Sequence, residues 1–279
     1  MFSQQLIGIS TAGVGTAILA PAHRVQFDVG VMLRLASETD FLCLTHAHPD
    51  HIGAIINWLA IRQMRAGTRP PPTILLSEAA NRVLEPMLQV LPIMFTNPPP
   101  YSLIICEPGD VVQISRNIVI QVLWADHVVP CQGYLLCERR SYLNPALEGL
   151  SSNEIAAIAR LRDPNRPVNL TRLIGLCGYS GDTTHRWFEL NRELLTTIDM
   201  RETEMAIECS YVAETHRESA ALYGHMHSSE FISGVRSFSF TPVPVHFSLR
   251  TTQEERDAVV EASEGVHLAP ANYVTDFPL

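Results

Sequence analysis

Between Thr45 and Gly53 the chain reads THAHPDHIG, which places His46, His48, Asp50 and His51 within six positions. Neutral imidazole and carboxylate are ordinary ligands of Zn²⁺. His46 and His48 are two apart. In extended chain that spacing puts both side chains on one side, so both can reach one ion. Pro49 turns the chain, and Asp50 and His51 then come within reach of a second ion nearby. Four ligands are too few for two metals. The remaining candidates are His127 after IVIQVLWAD, Asp182 in SGDTTH after LIGLCGYS, and His246 at the end of PVPV. Each closes an apolar run. A carboxylate such as Asp182 has two oxygens and can bridge two cations.

The elements that must position these residues follow from periodicity and punctuation. Short strands are expected at 5–9, 16–20 and 25–29, broken by Gly and Pro. FLCLT at 41–45 reads as a buried strand that delivers the histidines. Ile52 to Arg65 has helical spacing, with Ile52, Ile55, Ile56, Leu59 and Met64 near one face. Further strands are expected at 73–77, 118–125, 133–137, 173–180, 205–209 and 243–247. LIIC and VVQI read as two strands about the EPGD turn. Helices are expected at 78–90, with Pro86 as a kink, and at 185–197, 215–223, 228–236 and 252–263. Between Glu138 and Arg172 the pattern weakens into two helical pieces, the clearer at 153–161 with Ser151 or Ser152 as cap. Runs of strands alternating with helices predict an α/β fold, with sheets packed together and helices outside.

Composition narrows the partners. The 279 residues are 46% hydrophobic and 18% charged, enough for a sizeable core without long disordered stretches. The net charge is −9, so a nucleic-acid contact must use a local patch. All 20 basic residues are Arg, whose fork binds phosphate bidentately. The six cysteines form no CxxC pair and most sit in strand-like runs, which predicts buried thiols in a reducing cytoplasm. The first basic residue is Arg24, so the N-terminus lacks the basic start of a signal peptide, and no stretch is apolar enough to span a membrane.

HAHPDH, HVVPCQGY, YSGDT and a late His after a strand together resemble the metallo-β-lactamase superfamily. More narrowly, their order resembles ribonuclease Z, the family that trims tRNA 3′ ends, and its short plant-type form above all. The shared pattern is FDVG, HxHxDHIG, a PPTI strand, QGY, a GLS-NEI segment, GDTT, an E-S/C-x pair, GHxHxSE and HFS-R, running from about residue 7 to residue 251. The resemblance implies an αββα sandwich, a single domain over 1–279 with a short arm inserted at about 138–172. It implies two Zn²⁺ ions, with Mn²⁺ or Fe²⁺ able to take their place. His46, His48 and His127 would hold one ion, Asp50, His51 and His246 the other, and Asp182 would bridge them. Asp50 would also orient the attacking water. Asp28, in FDVG, either steadies the histidine loop or is simply a turn residue before Gly30. Glu208 and His225 would form the acid pair that protonates the departing oxygen, with His227 a competitor two residues on. Ser248 and Arg250 would contact the scissile phosphate.

The expected partner is a tRNA precursor, met by the arm, in a cytoplasmic homodimer with no membrane association. The span 138–172 holds six arginines against four acidic residues, which makes it the most basic region of an acidic chain. Two family features are missing. The arm lacks the Gly-Pro-rich hand of bacterial members, and the Pro-x-Lys-x-Arg-Asn loop near the N-terminus is absent. The rival readings are a phosphodiesterase acting on a small ester such as a cyclic nucleotide, another hydrolase on the same fold, and a non-enzymatic RNA-binding relative.

Overall fold

The apolar runs pair into two sheets in a computed structural model that describes residues 5–65 and 67–271. Six strands come first in the chain: β1 (Ile7–Thr11), β2 (Gly15–Ala20), β3 (Val25–Phe27), β4 (Phe41–Cys43), β5 (Thr73–Leu76) and β6 (Ser102–Ile105). Six more follow: β7 (Val111–Gln113), β8 (Ile118–Trp124), β9 (Gln132–Leu143), β10 (Asn169–Tyr179), β11 (Glu204–Glu208) and β12 (Thr241–Val245). A two-residue β13 (Ala269–Pro270) returns to pair in parallel with β1. The sheet orders are β13-β1-β2-β3-β4-β5-β6 and β12-β11-β10-β9-β8-β7.

Apolar side chains on facing sides of the two sheets share one core. Ile18, Phe27, Cys43 and Leu75 of the first sheet pack with Ile120, Tyr134, Tyr179 and Val243 of the second. The outer face of each sheet is covered by helices. On the first lie α1 (Pro49–Ile52), α2 (Ile55–Arg65), α3 (Glu78–Leu88) and α4 (Leu91–Met94), with Trp58, Leu59 and Leu84 seated on Leu42, Leu44 and Ile74. After α5 (Ser152–Leu161) come α6 (Trp187–Leu190), α7 (Arg192–Thr196), α8 (Arg217–Leu222), α9 (Ser228–Val235) and α10 (Gln253–Ala262), of which α6, α7, α9 and α10 cover the second sheet. There Trp187, Phe231 and Val259 pack on Leu135, Met205 and Ile207. The layers are therefore helix, sheet, sheet, helix, the αββα order expected.

Three local expectations change. LIIC and VVQI do not pair: β6 ends one sheet and β7 ends the other, so EPGD is the crossover between sheets. The helix expected from Ile52 is two helices, because the backbone N–H of Ala54 leaves the helical ladder and donates to Val29 O at 2.8 Å. The two helical pieces expected in 138–172 are one helix, α5, and a single 3₁₀ turn at Pro145–Leu147. The flanks are strand instead: β9 and β10 run on as a paired ribbon from Glu138↔Ile174 to Leu143↔Asn169. α5 carries a capping box in which the Ser151 hydroxyl accepts from Glu154 N–H and the Glu154 carboxylate accepts from Ser151 N–H. Among the described residues no helix is long and apolar enough to cross a membrane.

Candidate metal centre

The site is assembled from strand ends. β4 leads into His46, His48, Asp50 and His51, β8 into His127, β10 into Asp182, β11 into Glu208 and Ser210, and β12 into His246. The QGY segment ties the two sheets at this edge. Gln132 N–H donates to Thr45 O at 3.1 Å, and the Tyr134 hydroxyl lies 2.8 Å from Leu44 O. FDVG seats the histidine turn from the other side, with Val29 N–H on His51 O at 2.7 Å.

All seven expected ligands come together. His46, His48, His127 and Asp182 can each offer one donor atom within 4.8 Å of the others, and so can Asp50, His51 and His246. His46 Nε2 lies 3.0 Å from His48 Nδ1, and His127 Nε2 lies 3.5 Å from the same nitrogen. Asp182 Oδ2 lies between the groups, 3.8 Å from His46 Nε2, 3.4 Å from His51 Nε2 and 3.5 Å from His246 Nε2. Asp50 Oδ2 is 3.7 Å from His51 Nε2 and 3.5 Å from His246 Nε2. Asp50 Oδ2 also accepts Gly13 N–H at 2.7 Å.

Outward hydrogen bonds assign the tautomers. His127 Nδ1–H donates to Gly224 O at 2.8 Å, and His51 Nδ1–H to Asp28 Oδ2 at 2.6 Å. His46 Nδ1 meets Thr45 Oγ1 at 3.0 Å, and His246 Nδ1 meets Ser210 Oγ at 2.9 Å. Four imidazoles thus spend their protons outward and present bare Nε2 atoms to one another and to two carboxylates. His51 Nε2 and His246 Nε2 are 3.3 Å apart. Such a concentration of lone pairs and negative charge is stable around cations, and His₃ plus carboxylate is a zinc donor set. Burial pushes the His51 imidazole down, but Asp182 and Asp28 outweigh it and hold it well above its ordinary value. Asp182 is fully buried, which pushes it up, yet His246, His51 and His46 hold it well below the usual carboxylate range. Burial and the charge of His51 hold His46 well below its ordinary value, so the shifts differ in sign across the cluster.

Asp28 fills both roles left open for it. It takes a left-handed backbone conformation, φ +55°, and its buried carboxylate accepts from Thr45 N–H, Thr45 Oγ1 and His51 Nδ1. Burial raises its pKa more than these partners lower it. The glycine two residues on has a steric reason. A Cβ on Gly30 would stand 1.7 Å from Asp50 O and 2.8 Å from Thr16 N. Backbone on both sides cannot give way cheaply. Gly30→Ala is expected to cost about 3 kcal/mol or more of stability and to displace the Asp50–His51 turn. Thermal unfolding and metal analysis check this, and a variant matching the parent in both would contradict it.

The acid pair is also in place. His225 Nδ1–H donates to Glu208 Oε1 at 3.0 Å. Burial lowers the His225 imidazole, but the charge and hydrogen bond of Glu208 raise it to about 9. Its ring centroid lies 5.0 Å from that of His127 and 5.5 Å from that of His246. His227 is elsewhere: its ring accepts from Ser229 N–H and caps α9. Ser248 is half-buried two residues after His246 and Arg250 is exposed, with Arg250 N–H donating to Ser248 Oγ at 3.3 Å. The other four histidines stand apart, two of them beside carboxylates: His185 by Glu230 and His267 by Asp257. Five cysteines are buried thiols, and the half-buried Cys131 places its sulfur 3.6 Å from His46 Nδ1. Thr45, Ser210 and Cys131 were not anticipated as site residues. Only the first two had a signal: each is a hydroxyl within two positions of a singled-out residue at a strand end.

No family model matches the chain. Its sequence is 27% identical to Arabidopsis thaliana tRNase Z TRZ1 over 259 residues, covering 91% of this chain and 89% of that protein. It is 27% identical to the chloroplastic tRNase Z TRZ2 of the same plant over 267 residues, covering 95% of this chain and 73% of that protein. Among solved structures, the metallo-β-lactamase fold protein YhfI of Bacillus subtilis superposes with TM-score 0.59 at 15% identity, covering 96% of each chain. The short form of human tRNase Z superposes with TM-score 0.58 at 13% identity, covering 88% of this chain and 93% of the human one. The chain has the metallo-β-lactamase fold, and its sequence similarity runs along nearly its whole length to plant tRNase Z proteins.

Proposed function

We propose that the chain is a metal-dependent phosphodiesterase that removes 3′ trailers from tRNA precursors. The observation that carries this reading is the His225–Glu208 pair, 3.0 Å apart beside seven convergent ligands. An ester with a poor leaving group needs a proton delivered to the departing oxygen, and this pair offers one. His46, His48 and His127 would hold one ion, Asp50, His51 and His246 the other, with Asp182 shared. When bound, two such ions supply a water of near-neutral pKa and offset charge on the phosphoryl oxygens. Asp50, held by Gly13 N–H, orients the attacking water. His225 gives its proton to the leaving oxygen while Glu208 keeps the imidazole aimed and charged. Ser248 and Arg250 contact the phosphate.

The arm leaves the sheet at the end opposite the ligands. Asp182 follows Tyr179 at one end of β10, while the arm's ribbon begins at Glu138↔Ile174 and its tip lies beyond Asn169 at the other. Twelve residues of β9 span roughly 35 Å. A substrate touching both the ligands and the tip of the arm must therefore be a large folded RNA, or the arm must serve the cleft of a second copy in the homodimer that this reading includes. Arg139, Arg140, Arg160, Arg162, Arg166 and Arg172 are all exposed. They supply the local basic surface that an acidic chain needs for RNA.

The test compares cleavage of a 3′-extended tRNA precursor with hydrolysis of cyclic nucleotides, on the parent and on a chain without the arm. Ser141 and Thr171 are cross-strand partners, so residues 142–170 can be replaced by an Asn-Gly turn. The expected result is precursor cleavage faster than cyclic nucleotide hydrolysis. It should fall by about 10²-fold without the arm, while a nitrophenyl diester is turned over as before. Faster turnover of the cyclic nucleotide would replace the tRNA reading with the small-ester one. Equal losses on both substrates would make the arm structural.

A further inference from the structure

Glu208 serves two histidines, not one. Its Oε1 accepts from His225 Nδ1–H at 3.0 Å and from Met226 N–H at 3.0 Å. The same oxygen lies 2.7 Å from Ser210 Oγ. Its other oxygen accepts from Thr183 N–H, next to Asp182. A carboxylate has only lone pairs to offer, so the single proton of the Ser210 hydroxyl goes to Glu208. The hydroxyl oxygen is then left to accept, and what it accepts is the Nδ1–H of His246, at 2.9 Å.

That bond selects the tautomer of His246 in which Nε2 is bare. Nε2 is the atom that lies 3.5 Å from Asp50 Oδ2 and 3.5 Å from Asp182 Oδ2. The backbone of His246 is left-handed, φ +62°, a conformation that a non-glycine residue keeps only when its surroundings impose it. Its neighbours do so through Cys209 N–H on Val245 O and Ser248 N–H on Ser210 O. Ser210 is 1% exposed, so no solvent can replace its hydroxyl freely. The arrangement has a counterpart across the site. Asp28 holds His51 directly, and through Thr45 Oγ1, 2.8 Å away, it holds His46. In both cases one buried carboxylate orients one imidazole directly and a second through a hydroxyl.

We propose that Ser210 is a positioning residue that couples the carboxylate of the proton donor to the metal ligand His246, so that one group, Glu208, sets both proton delivery and retention of an ion. The proposal rests on the metal reading of the site. It separates two effects that Glu208→Gln would merge. Loss of the Ser210 hydroxyl removes the hold on His246 and leaves the His225–Glu208 pair in place.

The experiment titrates the metal-stripped full chain with Co²⁺, read by its visible absorption, and with Zn²⁺ against a competing chelator. Parent, Ser210→Ala and Ser210→Thr are compared. In Ser210→Ala one of two equivalents should bind about 10- to 100-fold more weakly and the other within about threefold of the parent. Ser210→Thr should restore it. Among diesters of graded leaving group, zinc-saturated Ser210→Ala should show the dependence of the parent, while His225→Ala should show a steeper one. Unchanged binding of both equivalents in Ser210→Ala overturns the proposal. So does equal weakening of both with a lower unfolding temperature of the metal-free chain, because Ser210 would then only pack. A parent chain that takes up no metal overturns the metal reading itself, and the coupling with it.

Discussion

Asp182→Ala is expected to reduce bound metal from two ions per chain to at most one and to lower kcat/KM on any phosphodiester by about 10³-fold or more, about 4 kcal/mol of transition-state stabilisation. The reason is geometric. Among the described residues Asp182 Oδ2 is the one oxygen that stands 3.4 to 3.8 Å from bare nitrogens of His46, His51 and His246, which belong to both ligand groups. No neighbour can stand in for it. Asp50 reaches only the His51–His246 side. The expected loss is also visible without catalysis. A ligand that binds only the folded state raises stability by RT ln(1 + [L]/Kd), about 2.7 kcal/mol at a hundredfold excess over Kd. Zinc should therefore raise the unfolding temperature of the parent strongly and that of Asp182→Ala much less. The loop itself should persist, since Thr183 N–H still has the Glu208 carboxylate and Thr184 N–H still has Asp126 O at 2.9 Å. Mass analysis of native protein finding two ions on the variant would refute the bridging role.

Much of this geometry was legible in the sequence, for identifiable reasons. Buried strands such as β4, β8, β10 and β12 announce themselves as apolar runs, and a polar ligand residue just beyond such a run has nowhere to go but the sheet edge. Four strand ends meeting at one edge put His46, His127, Asp182 and His246 within reach of one another. The arm was misread because its strands are not half-buried. Arg139 to Leu143 of β9 are exposed, so no alternation of apolar and polar residues marks them as strand. Their pairing with Asn169–Ile174 is set by register carried from the buried half of the same strands, a long-range cause that no local pattern contains. β6 and β7 mislead for the opposite reason. EPGD has ordinary turn chemistry, and only the packing of two sheets sends its flanks apart. Thr45 and Ser210 went unnoticed because hydroxyls are common at strand ends, and their roles exist only relative to Asp28 and Glu208.

His225→Ala is expected to keep both ions and to lose activity in proportion to how much the leaving group needs a proton. On an RNA diester, whose departing alkoxide is strongly basic, the loss should be about 10²- to 10⁴-fold. On a nitrophenyl diester, whose phenolate leaves unassisted, the rate should change by less than about threefold. The distinction follows from where His225 stands. Its Nδ1 is committed to Glu208, so the opposite ring nitrogen is the one free to donate, and the ring is only 17% exposed beside His127 and His246. Glu208 raises the imidazole to about 9 against the burial that lowers it, so the proton is present at neutral pH. His227→Ala supplies the contrast. That ring caps α9, so its loss should cost about 1 kcal/mol of stability and leave the dependence on leaving group unchanged. Equal losses on the RNA and nitrophenyl substrates in His225→Ala would assign His225 to holding metal or substrate, and the proton would have to come from elsewhere.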